Sequence, residues 1–265
     1  MGWIHAYPRW LVAILTIAIF AGTAFAGLAT TRSWSRQRGM HALVDNGVIG
    51  WIFSAILGIY AIAIGLIAVA SWNNESQAAS VASKEAAAIA GLYRDFTGYP
   101  EPTGGQLRAM LAEYARDVVD KAWPLQRAGE IPHGGTDVLN RLQKVLYGFE
   151  PATDGKRILH AAALESYNRM IECRRQRLEA VDYAVPGTLW SVVLVGAAIS
   201  IVASFVFSIE SFQVHALMTC LLAAIVGLLV FFIAVTDRPY RGADSVSPEA
   251  YELVIRDLMD DAGHH

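Results

Sequence analysis

The stretch GVIGWIFSAILGIYAIAIGLIAVASWNNE, residues 47–75, runs 28 residues before its first charge, and a bilayer crossing takes roughly 18–20 apolar residues. It contains no proline. It closes on Ser71-Trp72-Asn73-Asn74-Glu75, an aromatic anchor followed by polar groups, as at a membrane interface. Three further charge-free stretches, residues 10–31, 183–209 and 211–236, hold 22, 27 and 26 residues, so each is also long enough to span. No run of alternating apolar and polar residues flanked by turn residues occurs, and the chain reads as all-α, with four transmembrane helices.

Composition agrees. Of 265 residues, 54% are hydrophobic and 17% charged, with a mean hydropathy of +0.37, against roughly 45–50% apolar and about 25% charged in an average soluble protein. This excludes a secreted disulfide scaffold, a disordered tail and an ordinary soluble enzyme. A net charge of −3 provides no basic footprint for nucleic acid. Cys173 and Cys220 have no second Cys or His at ligand spacing, so no disulfide, metal or cofactor is expected. The sequence lacks Gly-x-Ser-x-Gly, a Walker loop, a dinucleotide glycine fingerprint and His-Glu-x-x-His, and His133 and His160 stand isolated, which argues against an enzyme. The spans carry no Asp, Glu, Lys or Arg, which argues against an ion-coupled transporter. His215, near the turn between the last two spans, is read as reaching the interface.

The first stretch follows Arg9 and contains Ala24-Phe25-Ala26, which has the form of a signal-peptidase site. At 22 residues it exceeds the roughly 7–15 of a signal core, and retention as a membrane helix is the reading adopted. The second should continue into the polar region without a break. The third should start after Pro186-Gly187 and run to Ile209, a short turn at Glu210-Ser211-Phe212-Gln213 should follow, and Asp237-Arg238-Pro239 should end the fourth. Arg9, Lys84, Arg169, Arg174, Arg175, Arg177, Arg238 and Arg241 gather on one side and Arg32, Arg36 and Arg38 on the other. The majority puts both termini in the cytoplasm of a bacterial cell, with the protein multi-pass in the inner membrane.

The expected division is residues 1–74 for the first two membrane helices, 75–182 for a helical cytosolic domain, 183–236 for the last two membrane helices and 237–265 for a cytosolic tail. Residues 75–182 hold 14 basic and 15 acidic side chains, the balance of a water-exposed domain. Val81, Ala88, Leu92, Tyr93 and Phe96 fall on one side of a first helix; Leu107, Leu111, Tyr114, Val118 and Ala122 mark a second, which Pro124 should stop. Thr136-Asp137 should cap a third, carrying Val138, Leu142, Val145, Leu146 and Phe149. A fourth, from Asp154, should bury Ile158, Ala162, Tyr167, Met170 and Ile171. Glu85, on a helix otherwise of Ala and Val, reads as half of an ion pair with an arginine of this domain. Tyr251, Leu253, Val254 and Leu258 mark a short amphipathic helix in the tail.

Several motifs occur in order along the chain: Lys84-Glu85-Ala86, Leu92-Tyr93-Arg94, Tyr114-Ala115, Trp123-Pro124, Arg174-Arg175-Gln176-Arg177-Leu178, Leu189-Trp190, and Asp237-Arg238-Pro239-Tyr240-Arg241-Gly242 with Ser247-Pro248. In this order and spacing, over nearly the whole chain, the sequence resembles the bestrophin-like family of uncharacterised bacterial membrane proteins, distantly similar to bestrophin channels. Bestrophins are pentameric, chloride-permeable channels with four membrane helices per subunit, a helical cytosolic part and a pore lined by the second membrane helix. The resemblance therefore implies a homo-oligomer, with a pentamer favoured by analogy. No acidic calcium clasp aligns and the hydrophobic neck has no residue-by-residue match, so calcium gating and chloride selectivity are not implied.

On the second helix Gly47, Gly50, Ser54, Gly58, Ala61, Gly65 and Ala68 recur at intervals of three or four. Such a stripe lets helices approach closely. It also suits the wall of a narrow apolar pore, with Gly50, Ser54, Ala61 and Ala68 as lining candidates. Trp72, Asn73, Asn74 and Glu75 would form one mouth, where a ring of carboxylates concentrates cations, and Asp45 the other; alternatively all are interface caps. Arg174, Arg175 and Arg177 are candidates for contact with anions or lipid head groups, or partners for Glu172 and Glu179. The functional expectation is a homo-oligomeric ion channel, with the lipid bilayer, copies of itself and permeant ions as partners. The alternative is a non-conducting, membrane-anchored scaffold or sensor whose cytosolic helices bind a partner or ligand.

Overall fold

The computed structural model describes residues 8–37, 45–241 and 245–260, and among them every regular element is a helix. Arg38, Gly242 and the histidines at 264 and 265 lie outside these residues. The chain divides into two compact units: residues 1–74 with 184–237, here the apolar unit, and residues 75–183 with 238–265, the charged unit.

The apolar unit contains α1 (Arg9–Gln37), the first part of α2 (Asn46–Thr97), α7 (Gly187–Ser204) and α8 (Phe212–Thr236), all four long and apolar enough to cross a membrane. Tyr60, Ile64, Ile67 and Ala68 of α2 meet Val193 and Ala197 of α7 and Val226, Val230 and Ile233 of α8 in one cluster. Close approach depends on glycines outside the α2 stripe. A Cβ at Gly196 would overlap the Tyr60 ring, one at Gly27 would stand 2.8 Å from Phe205, and one at Gly227 3.1 Å from Phe20. The Tyr60 hydroxyl donates to the Val193 carbonyl at 3.0 Å, and the Ser71 and Thr236 hydroxyls are 2.8 Å apart, so these three buried hydroxyls are paired.

The third span is shorter than its charge-free stretch: α7 ends at Ser204, and residues 205–211 form the connection to α8. The side chain of Asn46 holds that connection, donating to the Ser208 carbonyl at 2.7 Å and accepting from its N–H at 2.9 Å. Asp237 accepts from the Val185 N–H, so the end of α8 is tied to the approach to α7. His215 is 4% exposed and bonded to the Ser204 carbonyl, packed inside rather than reaching the interface.

The charged unit comprises the rest of α2, α3 (Thr103–Asp117), α4 (Trp123–Ala128), α5 (Thr136–Tyr147), α6 (Asp154–Glu179) and α9 (Glu249–Val254). Val81, Ala88, Leu92, Tyr93 and Phe96 are buried, as are Leu107, Leu111, Tyr114, Val118 and Ala122. Pro124 does not stop the second helix. A π turn over Val118–Ala122, closed by the Trp123 N–H on the Val118 carbonyl, leads into α4 and relieves the clash a proline makes with the carbonyl four residues back. Helix α5 has no side-chain cap at its start: Gly135, with φ of 77°, precedes Thr136. On α6 the buried residues are Ala163, Tyr167, Met170, Cys173 and Arg177, whereas Ile158 is 73% exposed and Ala162 is also exposed, because the face turned to the core runs through Leu159, Ala163, Tyr167 and Met170, one position around the helix.

Candidate functional site

Helix α2 is 52 residues long, more than twice what a crossing requires. In the apolar unit it buries one narrow face, Tyr60, Ile64, Ile67, Ala68 and Ser71, and leaves Trp51, Ile59, Ile62, Leu66 and Val69 exposed. At about 100° per residue the small-residue stripe falls between these two arcs. Ser54, Gly58 and Ala61 are exposed, and a Cβ added at Gly58 or Gly65 would meet nothing within 4 Å. Within one subunit, therefore, the centre of the stripe is not spent on packing. Gly50 and Ala68 sit at its core-ward edge: a Cβ at Gly50 would stand 4.0 Å from Phe207, and Ala68 is 8% exposed inside the cluster of its own subunit. Ala68 thus differs from the other lining candidates in being turned to the subunit's own core.

Asp45 caps α2, its Oδ1 accepting from the Gly47 N–H at 2.8 Å. At the far end of the apolar stretch Trp72 is 55% exposed, Asn73 and Asn74 are exposed and Glu75 is half-buried. The run Trp72 to Glu75 is part of the same helix, so its side chains fan around α2 and do not converge within one chain.

In the charged unit the partner of Glu85 is Arg177. Arg177 donates from Nε to Glu85 Oε2 at 2.8 Å and from Nη2 to Oε1 at 3.3 Å, while the Tyr114 hydroxyl donates to Oε1 at 2.6 Å. All three side chains are buried. The guanidinium carbon lies 5.7 Å from the Trp123 ring and 5.9 Å from the Tyr251 ring. Burial is the largest influence and works against the guanidinium charge, but the Glu85 carboxylate, with its hydrogen bond, and the Tyr251 and Tyr114 side chains together outweigh it and hold the arginine protonated. Burial, then the same carboxylate, pushes the Tyr114 and Tyr251 hydroxyls well above their usual range, so both stay neutral. The segment after α8 is bound to this core, with Tyr240 donating to the Ala78 carbonyl at 3.1 Å and Trp123 Nε1 to the Val246 carbonyl at 3.0 Å.

The three arginines grouped in the sequence separate here. Arg177 is 1% exposed and beyond reach of a head group or a diffusing anion. Arg175 bonds Glu172 and Glu179, and Arg174 donates to the Gly134 carbonyl and the Thr136 hydroxyl at 3.2 Å each. The positions missed from sequence are Trp123, Tyr251 and Gly196. Arg177 carried a usable signal, lying seven residues after Met170 on one helix face. Elsewhere in the unit, the Tyr99 hydroxyl, its pKa pushed up to about 12 by burial and then by Asp95, shares a hydrogen bond of 2.7 Å with His160 Nδ1.

A Bestrophin-like domain is matched over residues 17–251. No curated protein sequence matches the chain. Among solved structures, a single-substitution variant of a bacterial bestrophin homologue from Klebsiella pneumoniae superposes with a TM-score of 0.70 at 13% identity, over 95% of this chain and 99% of that one. The structure of that homologue solved by zinc phasing superposes at 0.68 and 14% identity, again over 95% and 99%. The likeness extends over the full fold.

Proposed function

The chain belongs to the bestrophin-like family, and we propose that it is a homo-oligomeric ion channel of the bacterial inner membrane whose pore is lined by α2. Bestrophins are ion channels. The observation that carries the reading is the open arc of α2, where Ser54, Gly58 and Ala61 are exposed, and a Cβ at Gly58 would meet nothing within 4 Å, although this half of the helix is apolar. Surrounded by copies of itself, that arc makes a narrow, weakly polar lumen, and Gly50 flanks it. Asp45 stands at one mouth and Trp72, Asn73, Asn74 and Glu75 at the other, where Glu75 carboxylates repeated around an axis raise the local concentration of cations. The charged unit lies in the cytoplasm, with both termini, and α2 extends the pore wall into it.

Ion flux through the purified protein in liposomes, with K⁺ and Cl⁻ gradients imposed separately, tests this reading. Ser54→Trp and Ala61→Trp are expected to block flux while the oligomer elutes unchanged, and Glu75→Gln to lower the preference for K⁺. If no flux appears with either gradient across voltage, pH and calcium, the channel reading falls and the anchored scaffold replaces it.

A further inference from the structure

Within the charged unit α2 buries one side, with Ala78, Val81, Ala82, Glu85, Ile89 and Leu92 in the core. Opposite them Ser76, Ser80, Ser83, Lys84, Ala87 and Arg94 are exposed, and they fall within an arc of about 100°. That arc carries two cations and no carboxylate. The carboxylates of the neighbouring stretch are engaged elsewhere: Glu85 holds Arg177, Asp95 accepts from Ser166 at 3.0 Å and Glu101 holds Arg108 at 2.7 Å. Glu75, half-buried, stands about 14 Å before Lys84 along the helix. Neither Lys84 nor Arg94 has an ion pair or a side-chain hydrogen bond among the described residues. Exposed arginines elsewhere on the unit do, Arg116 with Asp260, Arg141 with Glu113, Arg169 with Glu165 and Arg175 with Glu172. The two cations lie about 15 Å apart along the axis. Between them the open side carries only small residues, Ala87, the half-buried Ala90 and Gly91, where an added Cβ would meet nothing within 4 Å.

We propose that this face of α2 binds an oligophosphate, inorganic or the tail of a nucleotide, between Lys84 and Arg94. The inference rests on the proposed arrangement of α2 copies around an axis, which turns the face toward a shared lumen and repeats both cations around it. Attraction to such a ring grows with the charge of the ligand, so multivalent anions are favoured over monovalent ones. Lysine meets a phosphate as a point charge and arginine as a fork of donors, and the Ser80 and Ser83 hydroxyls add two more donors close to Lys84. The face offers nothing to a base. Tyr93 and Phe96, the aromatic residues of this part of the helix, are buried, so no ring is available for stacking. The number of phosphates, rather than the nucleoside, therefore sets the affinity, and a bound oligophosphate fills the lumen and stops ion flow.

The test is isothermal titration calorimetry on the full chain as its purified oligomer, in magnesium-free buffer, with tripolyphosphate, ATP and orthophosphate as titrants. Tripolyphosphate and ATP are expected to bind alike, orthophosphate about tenfold more weakly or worse, and added KCl should weaken all three. Lys84→Gln and Arg94→Gln should each weaken tripolyphosphate about tenfold, the loss of one charge-assisted hydrogen bond. Lys84→Arg, which keeps the charge, should retain binding, and Lys144→Gln, at an exposed cation of α5, should leave it unchanged. The comparison of titrants on the unmodified chain holds even if a variant fails to fold. No binding of tripolyphosphate, equal affinity for orthophosphate, or binding untouched by both glutamine variants overturns the proposal. ATP binding far tighter than tripolyphosphate overturns it too, by placing recognition at the base. Binding in a preparation that conducts no ions leaves this inference standing and removes the channel; flux that tripolyphosphate on either side of the liposome leaves untouched does the reverse.

Discussion

Removing the Arg177 guanidinium would leave the Glu85 carboxylate inside the core with the Tyr114 hydroxyl as its hydrogen-bond partner. Breaking one half of a buried pair costs about 3–5 kcal/mol, whereas replacing both halves with neutral groups of similar volume restores much of it. Arg177→Met is therefore expected to lower the denaturation midpoint of the purified protein sharply, and Glu85→Gln with Arg177→Met to recover most of the loss. If the single substitution is silent, the pair is not what holds α2, α3 and α6 together. The carboxylate half was legible in the sequence, because a lone Glu among Ala and Val on a helix must meet a cation if that face is buried. Its partner was not, since the same region offers 14 basic side chains and only three-dimensional packing brings residues 92 positions apart into contact.

At the scale of the helix, the small-residue stripe on α2 admitted two readings, and position relative to neighbours separates them. The tight crossing within the subunit uses Gly196 of α7, against which one edge of the Tyr60 ring of α2 is pressed, while Gly58 and Gly65 of α2 face open space. Gly196→Ala forces the tyrosine ring aside in a packed bundle, a change that costs about 1–3 kcal/mol, and should lower thermal stability in detergent, whereas Gly58→Ala should leave the isolated subunit's packing unchanged. Equal effects of the two would contradict this division. Periodicity identified the buried faces of α2 and α3 correctly because each packs along one continuous stripe. It failed at Ile158 and Ala162 of α6, where the face turned to the core lies one position around the helix, through Leu159 and Ala163, and at Pro124, where a π turn carries the helix onward instead of ending it.

For the whole molecule, the proposed topology of four spans puts both ends on one side of the membrane, and the arginine distribution is the ground for proposing that this side is the cytoplasm. A green fluorescent protein fused after residue 265 should accordingly fluoresce in bacteria, and alkaline phosphatase at the same place should stay inactive; the opposite pair of results would invert the topology. The sequence by itself determined that this is an all-helical membrane protein with four spans and a charged helical region between the second and third, because hydrophobic length and charge are local properties that a bilayer reads directly. Only the tertiary structure decided that Glu85 pairs with Arg177, that α2 and α7 approach closely at Gly196 rather than at the α2 stripe, and that His215 is packed inside the apolar unit. Each of these depends on which distant side chains share one small volume, and periodicity along a helix specifies a face without specifying its neighbour.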